Sequence, residues 1–171
     1  MEPCSKEELM SRRATKPIPE GLRSITPQLW FDGNCREAVD FYKRVFGAEL
    51  VGELDTMPDG KVMHAGLRIG NSTIFLADTM GSEYTKGPGR FTTASLYLYV
   101  KDSDAVFEKA KRSGCEVLMT IQDVFWGDRS GEVRDPYGHV WDIATNKRIL
   151  SREEMKTAEE KWLIQQHSPI V

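Results

Sequence analysis

Hydrophobic and polar positions change period several times along the chain, and each change marks an element. From Ser24, the residues Ile25, Pro27, Leu29 and Phe31 alternate with Thr26, Gln28 and Trp30, which is strand spacing. Pro27 suits a strand start or an edge. Asn34, with Glu37 three residues on, has the form of a capping box. Ala38, Val39, Phe41, Tyr42, Val45 and Phe46 then form a helical stripe that Gly47 closes. Alternation returns at about Glu49–Asp55, Lys61–Ile69 and Ser72–Ala77, with Pro58-Asp59-Gly60 and Gly70-Asn71 as turns. The order is β-α-β-β-β.

After a glycine- and proline-rich stretch the same order begins again. Ala94–Val100 alternates, and a helix from about Ser103 carries Ala105, Val106, Phe107 and Ala110 up to Gly114. Strands follow at Cys115–Ile121, within Phe125–Asp142, and at Val140–Thr145. Ala38 and Ala105, Gly47 and Gly114, Glu49 and Glu116, and Ala77 and Ala144 all lie 67 residues apart. A duplicated module in one continuous register is therefore expected. The predicted organisation is an N-terminal arm (1–23), a first module (24–79), a linker (80–92), a second module (93–147) and a C-terminal helix with its tail (148–171). The arm is polar, with one helical turn expected near Lys6–Arg13. Ser151 and Glu154 form a further capping box, and Met155, Ala158, Trp162 and Leu163 share one helical face.

Composition narrows the setting. Of 171 residues, 40% are hydrophobic and 29% charged, as in ordinary globular domains. A net charge of −3 argues against a nucleic-acid or anionic-membrane surface. No apolar run approaches a membrane span, and the charged N-terminus lacks a signal-peptide core. Three scattered cysteines (Cys4, Cys35 and Cys115) read as reduced, partly buried thiols rather than a disulfide or zinc framework. A cytoplasmic location is expected.

Strand alternation separates two kinds of face. Leu96, Leu98 and Val100, Met63, Ala65, Leu67 and Ile69, Ile74 and Leu76, and Trp141 and Ile143 make one uniformly apolar face suited to helix packing. The opposite face mixes Gln28, Trp30, His64, Arg68, Phe75, Ser95, Tyr97, Tyr99 and Asp142. Aromatic walls with a few polar groups suit a small-molecule cleft. Phe125-Trp126-Gly127-Asp128-Arg129, before the Asp135-Pro136-Tyr137-Gly138 turn, is expected to add a further wall. His64 is either a general base beside Asp142 or a hydrogen-bonded sheet histidine. His139 and His167 have no expected chemical role.

Several stretches resemble the vicinal oxygen chelate superfamily of glyoxalases, bleomycin-resistance proteins and extradiol dioxygenases, and its PhnB-like subgroup in particular. They include Ile25-Thr26-Pro27, Phe31-Asp32-Gly33-Asn34-Cys35-Arg36-Glu37-Ala38, Phe46-Gly47-Ala48, His64-Ala65 and Ile69-Gly70-Asn71-Ser72. Further on they include Trp126-Gly127-Asp128-Arg129, Asp135-Pro136-Tyr137-Gly138-His139-Val140-Trp141 and Leu150-Ser151-Arg152-Glu153-Glu154-Met155. The resemblance covers about residues 24–163. It implies an α+β fold of two paired β-α-β-β-β modules, with curved mixed sheets, helices on the outer face, and a homodimer.

In the superfamily's metal-binding members, the first and last strands of each module each give a ligand. Carried over, those places are Gln28, Phe75, Ser95 and Asp142. Phe75 cannot ligate and neutral Ser95 does so poorly, which leaves only Gln28 and Asp142. The expectation is thus a metal-free binder of a small aromatic or apolar molecule. In it Gln28, Trp30, Phe75, Ser95, Tyr97, Tyr99, Phe125, Trp126, Asp128 and Arg129 contact the ligand, and His64 and Asp142 are the candidates for any catalysis. The alternative is a metal-dependent lyase, isomerase or dioxygenase using Gln28, His64 and Asp142.

Overall fold

The computed structural model describes residues 14–166 apart from 82 and 90. The turn expected near Lys6–Arg13, Cys4 and His167 lie outside the described residues. The elements are β1 (Gln28–Phe31), α1 (Cys35–Phe46), β2 (Glu49–Thr56), β3 (Val62–Ile69) and β4 (Ser72–Asp78), then β5 (Ser95–Tyr99), α2 (Ser103–Arg112), β6 (Glu116–Asp123), β7 (Asp128–Arg134), β8 (Val140–Asn146) and α3 (Arg152–Gln166). They form two four-stranded mixed sheets, sheet A in the order β1-β4-β3-β2 and sheet B in the order β5-β8-β7-β6. In each, the first strand runs parallel to the last and the other pairs are antiparallel. The expected α+β architecture of two β-α-β-β-β modules is present.

Helices α1 and α2 each cover the apolar face of their own sheet, and their two layers merge. Leu29, Phe31, Ala65, Leu67, Ile74 and Leu76 of sheet A, the stripe of α1, and Phe107, Val133, Trp141 and Ile143 of the second module belong to one buried core. The seam between modules is aromatic. Tyr42 and Phe46 of α1 pack on Trp141, with ring centroids 5.1 and 4.5 Å apart. At its centre lies the buried Asp135 carboxylate. It accepts from Tyr42 Oη at 2.5 Å, Trp141 Nε1 at 2.9 Å, and the backbone N–H groups of Tyr137 and His139, each at 2.9 Å. Four donors satisfy a charge that would be costly to bury bare. The turn expected at Asp135–Gly138 forms, and it also fastens the two modules together.

Three local expectations differ from the structure. Asn34 makes no side-chain cap on α1. Asp78 instead accepts from Gly33 N and Cys35 N at 2.9 and 3.0 Å, and from Val62 N at 2.8 Å, so a carboxylate from β4 supplies the acceptor at this helix start. Met63 is 55% exposed rather than in the helix-packed layer. The β2–β3 ladder is irregular between Asp55 and Thr56, and Val62 takes the core position. Finally, the duplication is not gapless. Gly66 faces Phe75, but Glu132 rather than Val133 faces Asp142. Thus β7 sits one residue off the common offset, and the longer 135–139 turn restores it.

The Ser151–Glu154 capping box forms as expected, with reciprocal bonds of 3.2 and 2.8 Å. Trp162 of the following α3 rests on Phe125, with ring centroids 5.7 Å apart.

Candidate functional site

The sheet faces away from the helices carry most of the expected site residues. On sheet A, Gln28 lies beside Phe75, and Phe75 meets the His64 ring edge-on at 4.8 Å. Trp30 is half-buried on the same face. Its carbonyl oxygen lies 3.2 Å from His139 Nε2. Burial lowers the pKa of His139, against smaller opposing effects from the Asp135 charge and the Trp30 carbonyl.

On sheet B, Tyr97 lies beside Asp142, and Asp142 faces Glu132 across the ladder. Tyr97 and Tyr99 stand two apart on the edge strand β5, with ring centroids 5.1 Å apart, and are 44% and 60% exposed. Tyr99 is nevertheless fixed at its tip. Its hydroxyl donates to Asp128 Oδ2 at 2.8 Å, and Trp126 Nε1 and Asn146 Nδ2 donate to the same carboxylate at 3.0 and 2.8 Å. Asp128 itself is 2% exposed. The bond to Asp128 is the main cause that pushes the Tyr99 phenol up to about 12. Asp128, Trp126 and Tyr99 thus form one braced corner, in which Asp128 orients the aromatic groups.

The loop carrying Trp126 is held on its other side. Lys147 N and Arg148 N donate to Gly127 O at 3.0 and 2.9 Å. Gly127 has a φ of +99°, and a Cβ there would run into the Arg148 carbonyl, so only glycine fits without strain.

Two expected ligand contacts fall elsewhere. Strand alternation turns Arg129 to the helix side. There its guanidinium forms a two-point pair with Asp104 of α2 at 2.6 and 2.7 Å and reaches Asp123 at 3.2 Å. Arg129 fastens α2 to the sheet. Phe125 faces α3, where it lines a groove of about 550 Å³ with Trp162. His64 and Gln28 stay on sheet A, and Asp142 stays on sheet B. The cavity that Gln28 lines, about 450 Å³ beneath the Lys86–Ala94 linker, has neither His64 nor Asp142 on its wall.

The cavity that touches the tyrosines measures about 620 Å³. It lies between β5 and the Gly70–Asn71 turn of sheet A, with Ile25, Phe46, Leu98 and Trp141 among its apolar walls. A smaller one, about 340 Å³, opens on the other flank of β5 between Glu132, Arg134 and the linker at Phe91–Ala94. Ser95 lines both. Glu132 was missed in the sequence reading. Its signal was the alternation Asp128, Ser130, Glu132, Arg134 along β7, which sets all four on the face opposite Arg129. Burial, then the Asp142 charge, raise the Glu132 pKa, while Arg134 opposes them.

The model of the Glyoxalase/Bleomycin resistance protein/Dioxygenase superfamily matches residues 25–143. The chain belongs to this superfamily. An uncharacterised protein of Mycobacterium tuberculosis (strain H37Rv) is 35% identical over 140 residues, covering 79% of this chain and 81% of its own. Protein PA1353 of Pseudomonas aeruginosa superposes with a TM-score of 0.60 at 28% identity, over 74% of this chain and all but 1% of its own length (99%). A PhnB protein of Bacillus cereus, described as a putative 3-demethylubiquinone-9 3-methyltransferase, superposes at 0.58 with 25% identity, over 72% and 99% of the two chains.

The superfamily's metal-ligand places do not suit a metal here. Phe75 has no donor atom. Ser95 faces Val140, and it is Tyr97 that lies beside Asp142, so β5 is shifted two residues relative to its counterpart β1. Among the described residues no three His, Cys, Asp or Glu side chains gather as a ligand set. No described helix is long and apolar enough to cross a membrane.

Proposed function

We propose that this superfamily member binds a small molecule with an aromatic or apolar body against the open face of sheet B, without a metal, as a cytoplasmic homodimer. The observation that carries the reading is the Tyr97–Tyr99 pair. Two solvent-facing rings stand 5.1 Å apart on the edge strand of that face, one of them held in position by a buried carboxylate. Their strand borders a cavity of about 620 Å³ whose apolar walls, Phe46, Leu98 and Trp141, belong to the helix-packed side. Rigid, exposed aromatic rings beside apolar walls favour stacking at little ordering cost. Large exposed aromatic groups on an uncovered sheet face also favour closure by a second copy. Buried, reduced Cys35 and Cys115, both with thiols pushed up to about 12 chiefly by burial, fit a reducing compartment.

A second reading, a proton-transfer step of the lyase or isomerase kind, draws on the raised Glu132 carboxyl next to Asp142. The test titrates the purified dimer with naphthalene-based ligands while following tryptophan emission. Saturable quenching that is lost in Tyr97→Ala supports the binder. A stoichiometric divalent metal that disappears in Asp142→Ala overturns the metal-free reading. A monomer in sedimentation at micromolar concentration overturns the dimer.

A further inference from the structure

Asp142 and Glu132 are directly opposed on adjacent antiparallel strands, with their side chains on the same face of sheet B. Like charges in that relation destabilise a sheet unless something neutralises them. Neither carboxylate has a hydrogen bond or ion pair within the described part of the molecule. The one cation alongside, Arg134, is engaged by Glu116 at 2.7 Å. One row along β7, Ser130 projects from the same face, is 1% exposed, and its Oγ has no partner. A buried hydroxyl without a partner is uncommon, and its oxygen is free to accept an N–H. Beside Asp142 on the edge strand stand Tyr97 and, two residues on, Tyr99. The site therefore offers unneutralised oxygen acceptors next to two aromatic faces. Carboxylates answer a positive charge directly, and aromatic rings attract it through their quadrupole.

We infer that the ligand carries a cationic nitrogen group, an ammonium, amidinium or guanidinium, seated between Asp142 and Glu132 with its apolar body on Tyr97 and Tyr99. This rests on the small-molecule reading above and specifies its chemistry. Ser130 Oγ is the further acceptor for an N–H of that group. A carboxylate- or phosphate-bearing ligand is disfavoured at this position, because it would add a third negative charge.

Three naphthalene probes of matched shape test this by calorimetry at low salt: 2-naphthylmethylammonium, 2-naphthylmethanol and 2-naphthoate. The ammonium is expected to bind about tenfold more tightly than the alcohol, with the carboxylate weakest. In the isosteric double variant Asp142→Asn/Glu132→Gln the ammonium-to-alcohol ratio falls to within about twofold. Should that variant not fold, the ranking on the unaltered protein decides alone. Equal or tighter binding of the alcohol or the carboxylate overturns the cationic ligand and leaves the cleft standing. Failure of all three probes to bind overturns the cleft and this inference with it.

Discussion

Asp135 accepts from four donors, and they come from two modules. Tyr42→Phe removes the donor that α1 contributes and leaves the ring packing nearly unchanged. A hydrogen bond to a charged acceptor is worth about 1.5–3 kcal/mol, so urea unfolding should show a loss of that size with little change in slope. His139 lies next to this seam, against Phe31 at 4.9 Å. Its pKa is lowered from the ordinary 6.5 by burial, so the unfolded chain takes up a proton at a higher pH than the folded one. Its contribution to stability is complete above about 6.5 and is lost as pH falls through the lower folded value. Thermal scans between pH 8 and 5 should show the midpoint falling on the acid side. His139→Gln should flatten that part of the curve.

Elements were legible in the sequence where a local pattern decides them and obscure where a distant residue does. The strand and helix order followed from alternation, helical stripes and glycine stops. The α1 cap did not, since its acceptor is Asp78, 43 residues beyond Cys35, and no window around Asn34 contains it. Arg129 looked like a cleft residue because Trp126 and Asp128 precede it. Alternation along β7 sends it to α2, and the same rule brings Glu132 into the face. The one-residue slip at β7 was hidden because the repeated identities bracket it without falling inside it. That strand also carries a tight contact. A Cβ at Gly131 would lie 2.6 Å from the Phe107 ring of α2. Gly131→Ala should therefore destabilise by about 1–3 kcal/mol through overpacking, and Gly131→Ala with Phe107→Leu should recover part of it in the same unfolding assay.

At the scale of the molecule, the two modules share a core through their helical sides, which turns both polar-aromatic faces outward. That arrangement leaves Tyr97 and Tyr99 exposed while Asp128, which holds Tyr99, is buried. The site proposed on sheet B draws on β5, β7 and β8 together. Chemical-shift mapping of 2-naphthylmethanol on isotope-labelled protein tests that site against the groove beneath α3. Perturbations centred on Tyr97, Tyr99 and Asp142 are predicted. Shifts confined to Phe125, Ala158 and Trp162, or none at millimolar probe, would contradict it.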